Sequence, residues 1–426
     1  MTLAVVGGGS TYTPELVDGL ARLRDSLPVE ELVLIDPSTD RLAPVGSFAR
    51  RILAAQGHPA KVTTTSDLDA AVEAHAVLLQ LRVGGQAARG GDESWPLECG
   101  CVGQETTGAG GLAKALRTVP VVLDIAEHIR RRNPRAWIVD FTNPVGIVTR
   151  ALLDAGHRAV GLCNVAIHLQ RTFAALLGTR PDALHLEHYG LNHLTWELAV
   201  RHGGPDGPDL LPRLLADHGA ELAEELRLPH AVLARLGLVP SPYLRYYYAH
   251  DSVVARMRTE PSRASDVARL EERLLRMYAD PELREKPDLL AQRGGAFYSE
   301  AAVALTAALL GDGTGGTGQA GSVQAVNVRN GGTLPFLPDD AVVEVPAHVS
   351  PSGAEPLPAP ALDPLYAGLV AHVSAYEELA REAALHGGRH RVEKALLAHP
   401  LIGQHDRAEA LADRLLAHNR EYLPWL

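Results

Sequence analysis

The sequence predicts an α/β protein in two parts, a parallel-sheet domain over residues 1–165 and a mixed α+β domain over residues 166–426. Three observations predict it. Short apolar runs recur through the first part, helical patterns separate them, and this alternation fades near residue 165.

The first run, residues 3–6, meets Gly7-Gly8-Gly9-Ser10 and then a helical pattern with Leu16, Leu20 and Leu23 on one side. The second run, residues 31–35, stops at Asp36, and the third, residues 76–81, stops at Arg82-Val83-Gly84-Gly85. The fourth, residues 136–140, runs into Phe141-Thr142-Asn143-Pro144, and the fifth, residues 158–162, into Cys163-Asn164. In an open parallel sheet ligands collect beyond the carboxyl ends of the strands, so these five ends are expected along one rim. Beyond residue 165 longer helical stretches stand out at 265–278 and 294–310. Residues 311–321 hold six glycines and no apolar period, which reads as a mobile loop or insert.

At about 150 residues per domain, 426 residues allow two or three well-buried cores. The formal net charge of −11 gives nucleic acid or an anionic membrane no overall attraction. No stretch approaches the ~18 apolar residues of a membrane helix, and the opening apolar run lacks the basic flank of a signal peptide. Three cysteines, Cys99, Cys101 and Cys163, form no disulfide framework and point to a reducing, cytoplasmic setting.

Gly7-Gly8-Gly9-Ser10 stands where a dinucleotide pyrophosphate meets a helix N-terminus, although Tyr12 replaces the last glycine of the usual pattern. Asp36, at the end of the next strand, can hold both ribose hydroxyls and repel a 2′-phosphate, which favours NAD over NADP. The expected cofactor contacts are Gly7, Gly9, Ser10, Asp36 and Asn143 in a Rossmann-type domain. Cys163 lies at a strand end and His193 in the turn-like Tyr189-Gly190-Leu191-Asn192-His193, but their spacing alone does not make a metal site. Four tyrosines cluster at Tyr243-Leu244-Arg245-Tyr246-Tyr247-Tyr248; packing explains three of them, and positive charge nearby would suit one to act as a base.

Taken together, the motifs resemble the NAD-dependent glycoside hydrolases of family 4, especially the 6-phospho-β-glucosidases. The resemblance runs nearly end to end. It rests on Val6 through Leu16, Arg82-Val83-Gly84-Gly85, Gly103-Gln104-Glu105-Thr106-Thr107-Gly108, Phe141-Thr142-Asn143-Pro144, Gly161-Leu162-Cys163-Asn164, Gly190-Leu191-Asn192-His193 and Tyr243-Leu244-Arg245-Tyr246-Tyr247. It implies a lactate/malate dehydrogenase-like architecture, with Cys163 and His193 binding a divalent metal, usually manganese, and Tyr243 as the base. It also implies that Arg89 and Arg263 hold a sugar 6-phosphate, that Asn143 and Glu105 meet sugar hydroxyls, and that Asn164 marks the β-specific branch. A homo-oligomer, dimer or tetramer, is the family expectation. The chain departs from the family pattern at Ala166, His168 and Gly331, and His168 reads as a satisfied or exposed histidine.

The activity so implied starts with NAD-dependent oxidation at C3, which makes the C2 proton acidic; proton abstraction and elimination of the aglycone follow, then water adds back and the NADH returns its hydride to C3, so no net redox occurs. Such glycosidases are an exception to two-carboxylate hydrolysis. Two other readings stay open. Thr142-Asn143-Pro144-Val145 also resembles NAD-dependent 2-hydroxyacid dehydrogenases, which need no metal, and a non-catalytic NAD-binding regulator could keep the same fold.

Overall fold

A computed structural model of the chain describes residues 1–295, 297–311 and 321–426. The expected glycine-rich loop lies mostly outside the described residues. Apolar strands β1 (Thr2–Val6), β2 (Glu31–Ile35), β4 (Ala76–Leu79), β5 (Trp137–Asp140) and β6 (Ala159–Gly161) are the five read from sequence, with every end within two residues of the reading. They are legible because strands covered by helices on both faces become nearly continuous apolar runs. β3 (Lys61–Thr65) was missed. It sits at the sheet edge, Val62 alone is buried, and its threonines supply β-branching without an apolar run.

The six strands pair in parallel in the order β3-β2-β1-β4-β5-β6, the order of a dinucleotide-binding domain. The sheet continues past β6 through β10 (Ser322–Arg329), β11 (Val342–Ser350), β7 (Leu184–Leu191), β8 (Leu194–His202) and β9 (Val239–Pro240), while β12 (Gly353–Pro356) pairs with β11. These later pairings are antiparallel. Sequence patterning shows little of this half because several of its strands bury charged residues among apolar ones.

The two expected helices form as Arg263–Tyr278 and Tyr298–Leu310, the second starting four residues later than read. Helix Arg263–Tyr278 returns to the first half and packs on helices Gly85–Glu98 and Thr39–Ala55. Tyr278 stacks on Phe48 with centroids 4.8 Å apart, a contact of roughly 0.5–1.5 kcal/mol beyond its buried area. One apolar core spans the sheet and the C-terminal helices; a smaller one, around Phe173, Leu214 and Leu226, includes Cys163. Among the described residues no helix is long and apolar enough to cross a membrane.

Candidate active site

Strand register assembles the site. Ile35, Val6, Leu79, Asp140 and Gly161 are successive partners across the parallel strands, and Gly161 pairs on to Asn327, Glu344 and Gly190. The segments just beyond this line therefore share one rim: Gly7 to Ser10, Asp36, Asn143, Cys163, and the Asn192-His193 turn between β7 and β8.

At the first strand end the backbone N–H groups of Gly7 and Gly8 both donate to Ile35 O at 2.9 Å. A Cβ would stand 2.7 Å from Gln80 O at Gly7, whose φ is +89°, and 2.9 Å from the Asp36 carboxylate at Gly9. Only glycine permits these close approaches, which keeps the turn tight and free of side chains at the start of the following helix, the setting in which a pyrophosphate can meet backbone N–H groups. Asp36 accepts from Gly9 N–H at 3.0 Å and from Ser38 N–H at 2.9 Å, which holds its carboxylate beside the turn. Ser10 Oγ accepts from Tyr12 N–H, and Tyr12 donates its hydroxyl to Gly295 O.

Sequence reasoning missed the cations here. Arg293 Nε donates to Thr11 Oγ1 at 2.8 Å, and Arg41 Nε to Gly9 O at 3.3 Å; both guanidiniums also pair with buried Glu271 on helix Arg263–Tyr278. These groups are far apart in sequence, and each alone reads as an ordinary surface charge.

Replacing Asp36 with alanine is expected to weaken NAD⁺ binding about 10–100-fold and to narrow the preference over NADP⁺, since hydrogen bonds to a charged group contribute about 1.5–3 kcal/mol. Titrating both cofactors checks this, and unchanged affinity for both refutes it.

Cys163 follows β6 directly, at the start of helix Val165–Leu177, and Asn164 occupies the N-cap. Burial pushes its thiol well above the usual range, against the opposing pull of the Val165 and Asn164 backbone N–H groups and the Asn192 side chain. His193 occupies the hairpin turn with φ +64°, a left-handed conformation uncommon outside glycine. Its Nδ1 lies 3.1 Å from Thr106 Oγ1, which itself donates to Gln104 Oε1 at 2.8 Å. The hydroxyl proton being used, Nδ1–H donates to Thr106, and a neutral ring keeps its lone pair on Nε2. Burial lowers the His193 pKa to about 4, so the ring is neutral. A soft sulfur and a neutral imidazole are the donors expected for a divalent transition ion.

Tyr243, in the turn Pro242–Leu244, lies flat on His193 with centroids 3.7 Å apart and planes at 6°. Burial drives its phenol far above the ordinary value, with Cys163 and Tyr246 adding to the rise and Arg245 opposing it. The chain's own cations do not bring the phenol toward working pH; the expectation for it sets a metal beside an arginine. Tyr246 is buried and its hydroxyl accepts from Arg245 at 2.7 Å, the packing role expected of it.

Arg89, on helix Gly85–Glu98, donates to Glu93 at 2.7 Å and reaches Glu105 at 3.2 Å. Arg263, at the start of its own helix, donates to the carbonyls of Gln292 and Arg293. The two guanidiniums are close enough that, after burial, Arg89 is the main influence lowering the Arg263 pKa. Glu105 is buried and paired with Arg82, Lys114 and Arg89; burial would raise its pKa, but these three cations win and hold the carboxyl well below its usual range. Among the described residues Asn143 Oδ1 is buried without a hydrogen-bond partner.

Three residues fall outside the cluster. His168 pairs with Glu225 at 2.9 Å, as expected of a satisfied histidine, and Ala166 sits in the first turn of helix Val165–Leu177. Gly331 belongs to the turn after β10, where Asn330 accepts from Leu334 N–H.

A parallel sheet with this glycine cradle and a thiol–imidazole pair on the same rim defines a nucleotide-binding enzyme of dehydrogenase-like architecture. A malate dehydrogenase from Salinibacter ruber shares the fold at a TM-score of 0.54, with 17% identity over 90% of this chain and 97% of that one. The family 4 glycosyl hydrolase model matches residues 2–179, and the family 4 glycosyl hydrolase C-terminal domain matches residues 188–402. The chain belongs to the family 4 glycosyl hydrolases.

It is 34% identical to the 6-phospho-beta-glucosidase BglT of Thermotoga maritima over 99% of each chain. It is equally 34% identical to a 6-phospho-beta-glucosidase of Escherichia coli (strain K12), over 100% of this chain and 96% of that one. The structure of the Thermotoga maritima 6-phospho-beta glucosidase with manganese, NAD⁺ and glucose-6-phosphate matches at a TM-score of 0.90, with 33% identity over 99% of each chain.

Proposed function

We propose that the protein hydrolyses 6-phospho-β-glucosides, using NAD and a divalent metal, manganese being the first to test. The observation that carries the reading is the Tyr243 ring lying flat on His193 at 3.7 Å, on the rim that also holds Cys163. A 2-hydroxyacid dehydrogenase or a non-catalytic regulator has no need of a phenol set against metal-type donors.

Gly7, Gly9, Ser10, Asp36 and Asn143 would hold the dinucleotide, and Cys163 with His193 the metal. When bound, these groups supply oxidation at the sugar C3 and positive charge beside its oxygen and the Tyr243 phenol. Tyr243 takes the proton from C2. Arg89 and Arg263 grip the 6-phosphate and fix the ring, as planar, permanently charged donors do. Glu105, held ionised, accepts from sugar hydroxyls and does not serve as the proton donor to the aglycone; Asn143 Oδ1 accepts from a second hydroxyl or from the cofactor. Asn164, next to Cys163 at the N-cap of helix Val165–Leu177, would contact the sugar.

This reading assigns residues 1–165 to the cofactor, and residues 166–426 to the second metal ligand, the base and oligomer contacts. It also makes the enzyme cytoplasmic, because its phosphorylated substrate does not cross membranes and its three cysteines are free, with a homo-oligomer as the family expectation. The test compares p-nitrophenyl β-glucoside with its 6-phosphate in the presence of NAD⁺, Mn²⁺ and a thiol reductant. Nitrophenol release from the phosphorylated compound alone, dependent on both cofactors and without net NADH, is the expected result. Net NADH from a 2-hydroxy acid, or NAD⁺ binding with no aglycone release, would favour one of the other readings.

A further inference from the structure

Behind Cys163 and His193 runs a line of buried polar groups that the proposed chemistry does not use. Glu344, in the middle of β11, is 1% exposed, and three side chains converge on its carboxylate. Asn192 Nδ2 donates to Oε2 at 2.8 Å, Asn327 Nδ2 donates to the same oxygen at 2.9 Å, and His188 Nε2 lies 2.9 Å from Oε1. The other ring nitrogen of His188 lies 2.6 Å from Glu197 Oε1, in the fully buried middle of β8. Strand pairing fixes two of these contacts: Asn327 faces Glu344 across β10 and β11, and His188 faces Glu197 across β7 and β8.

Burying two carboxylates and a histidine in a sheet costs several kcal/mol per ion unless something is gained in return. An apolar strand pair would hold the fold with less penalty. The line is aimed at the site. Asn192 links the line to the site: it donates to Glu344 and immediately precedes His193 in the turn between β7 and β8. The Glu344 charge is felt at both Cys163 and His193.

We propose that Glu344 is a positioning residue for the divalent cation: through Asn192 it fixes the turn that presents His193, and its negative charge draws the cation to a ligand pair that carries only one charge of its own. His188 and Glu197 hold the Glu344 carboxylate in one orientation, as outer partners do for the ligands of other metal sites. This inference rests on the metal reading of Cys163 and His193.

The test is direct Mn²⁺ binding to the full chain, by electron paramagnetic resonance of the free ion, for the wild type and Glu344→Gln. Outer-shell partners typically account for 10–100-fold in metal affinity, so Glu344→Gln is expected to raise the Mn²⁺ Kd by about that factor. NAD⁺ affinity should stay within about twofold, and saturating Mn²⁺ should recover most of kcat. Glu344→Asp keeps the charge and should lie between the two. With Co²⁺ as probe, the thiolate-to-metal charge-transfer band should shift in Glu344→Gln, a change that general loss of stability does not produce.

Where Glu344→Gln fails to fold by circular dichroism, Asn192→Ser breaks the same bridge from the surface side and is read in the same way. A folded variant with wild-type Mn²⁺ affinity and an unshifted band overturns the role of Glu344 and leaves the metal site standing. Absence of stoichiometric Mn²⁺ binding by the wild type overturns both.

Discussion

Cys163→Ser and His193→Ala are each expected to abolish metal-dependent turnover while leaving NAD⁺ binding nearly unchanged. The cradle that would receive NAD⁺ is built from Gly7 to Gly9 and Asp36, on strands other than those that carry the two ligands. Serine keeps the size of the side chain but does not ionise near neutral pH, so the soft anionic donor is lost. Removing a direct ligand should cost at least what an outer partner does, so metal affinity falls about 100-fold or more, equivalent to about 2.7 kcal/mol.

The sign of the pH dependence follows from the thiol. Burial raises its pKa, so the free protein keeps Cys163 protonated and a binding cation must displace that proton. Mn²⁺ affinity of the wild type should therefore rise with pH, and Cys163→Ser should lose part of that slope. Calorimetric titration with Mn²⁺ and NAD⁺ at two pH values checks both statements. Full activity of either variant after chelator treatment refutes the assignment.

How much of this was legible depended on where each group's partners lie in the chain. β1, β2, β4, β5 and β6 bury both faces, so their apolar runs announce them, and their ends alone put Asp36, Asn143 and Cys163 on one rim. The Asn192-His193 turn was readable from Gly190 and the polar pair that follows it. The strands around it were not, because His188, Glu197, Asn327 and Glu344 interrupt the apolar pattern and become intelligible only as partners of one another. A glutamate inside Val342-Val343-Glu344-Val345 was the available signal: a charge in an apolar strand either ends the strand or is paired within it. Arg41, Arg293 and Glu271 gave no such sign, since a helix more than two hundred residues further along the chain carries Glu271 back to the glycine turn.

Tyr243→Phe is expected to lower kcat by about 10²–10⁴-fold, the usual contribution of a general base, while the variant still folds and still binds NAD⁺, Mn²⁺ and the sugar phosphate. Phenylalanine keeps the ring that stacks on His193 at 3.7 Å and meets Tyr246 edge-on at 6.1 Å, so what changes is the hydroxyl. Burial holds that hydroxyl protonated against the pull of Arg245, so deprotonation depends on charge brought in by a bound cation. Activity should accordingly need the metal and the phenol together: with Phe at position 243, added Mn²⁺ restores nothing. The isotope test separates this chemistry from direct displacement. In D₂O the wild-type product sugar should carry deuterium at C2, because the abstracted proton exchanges with solvent before it returns, whereas displacement at C1 leaves C2 untouched. A product without deuterium at C2 overturns the elimination, and wild-type turnover by Tyr243→Phe overturns the choice of base.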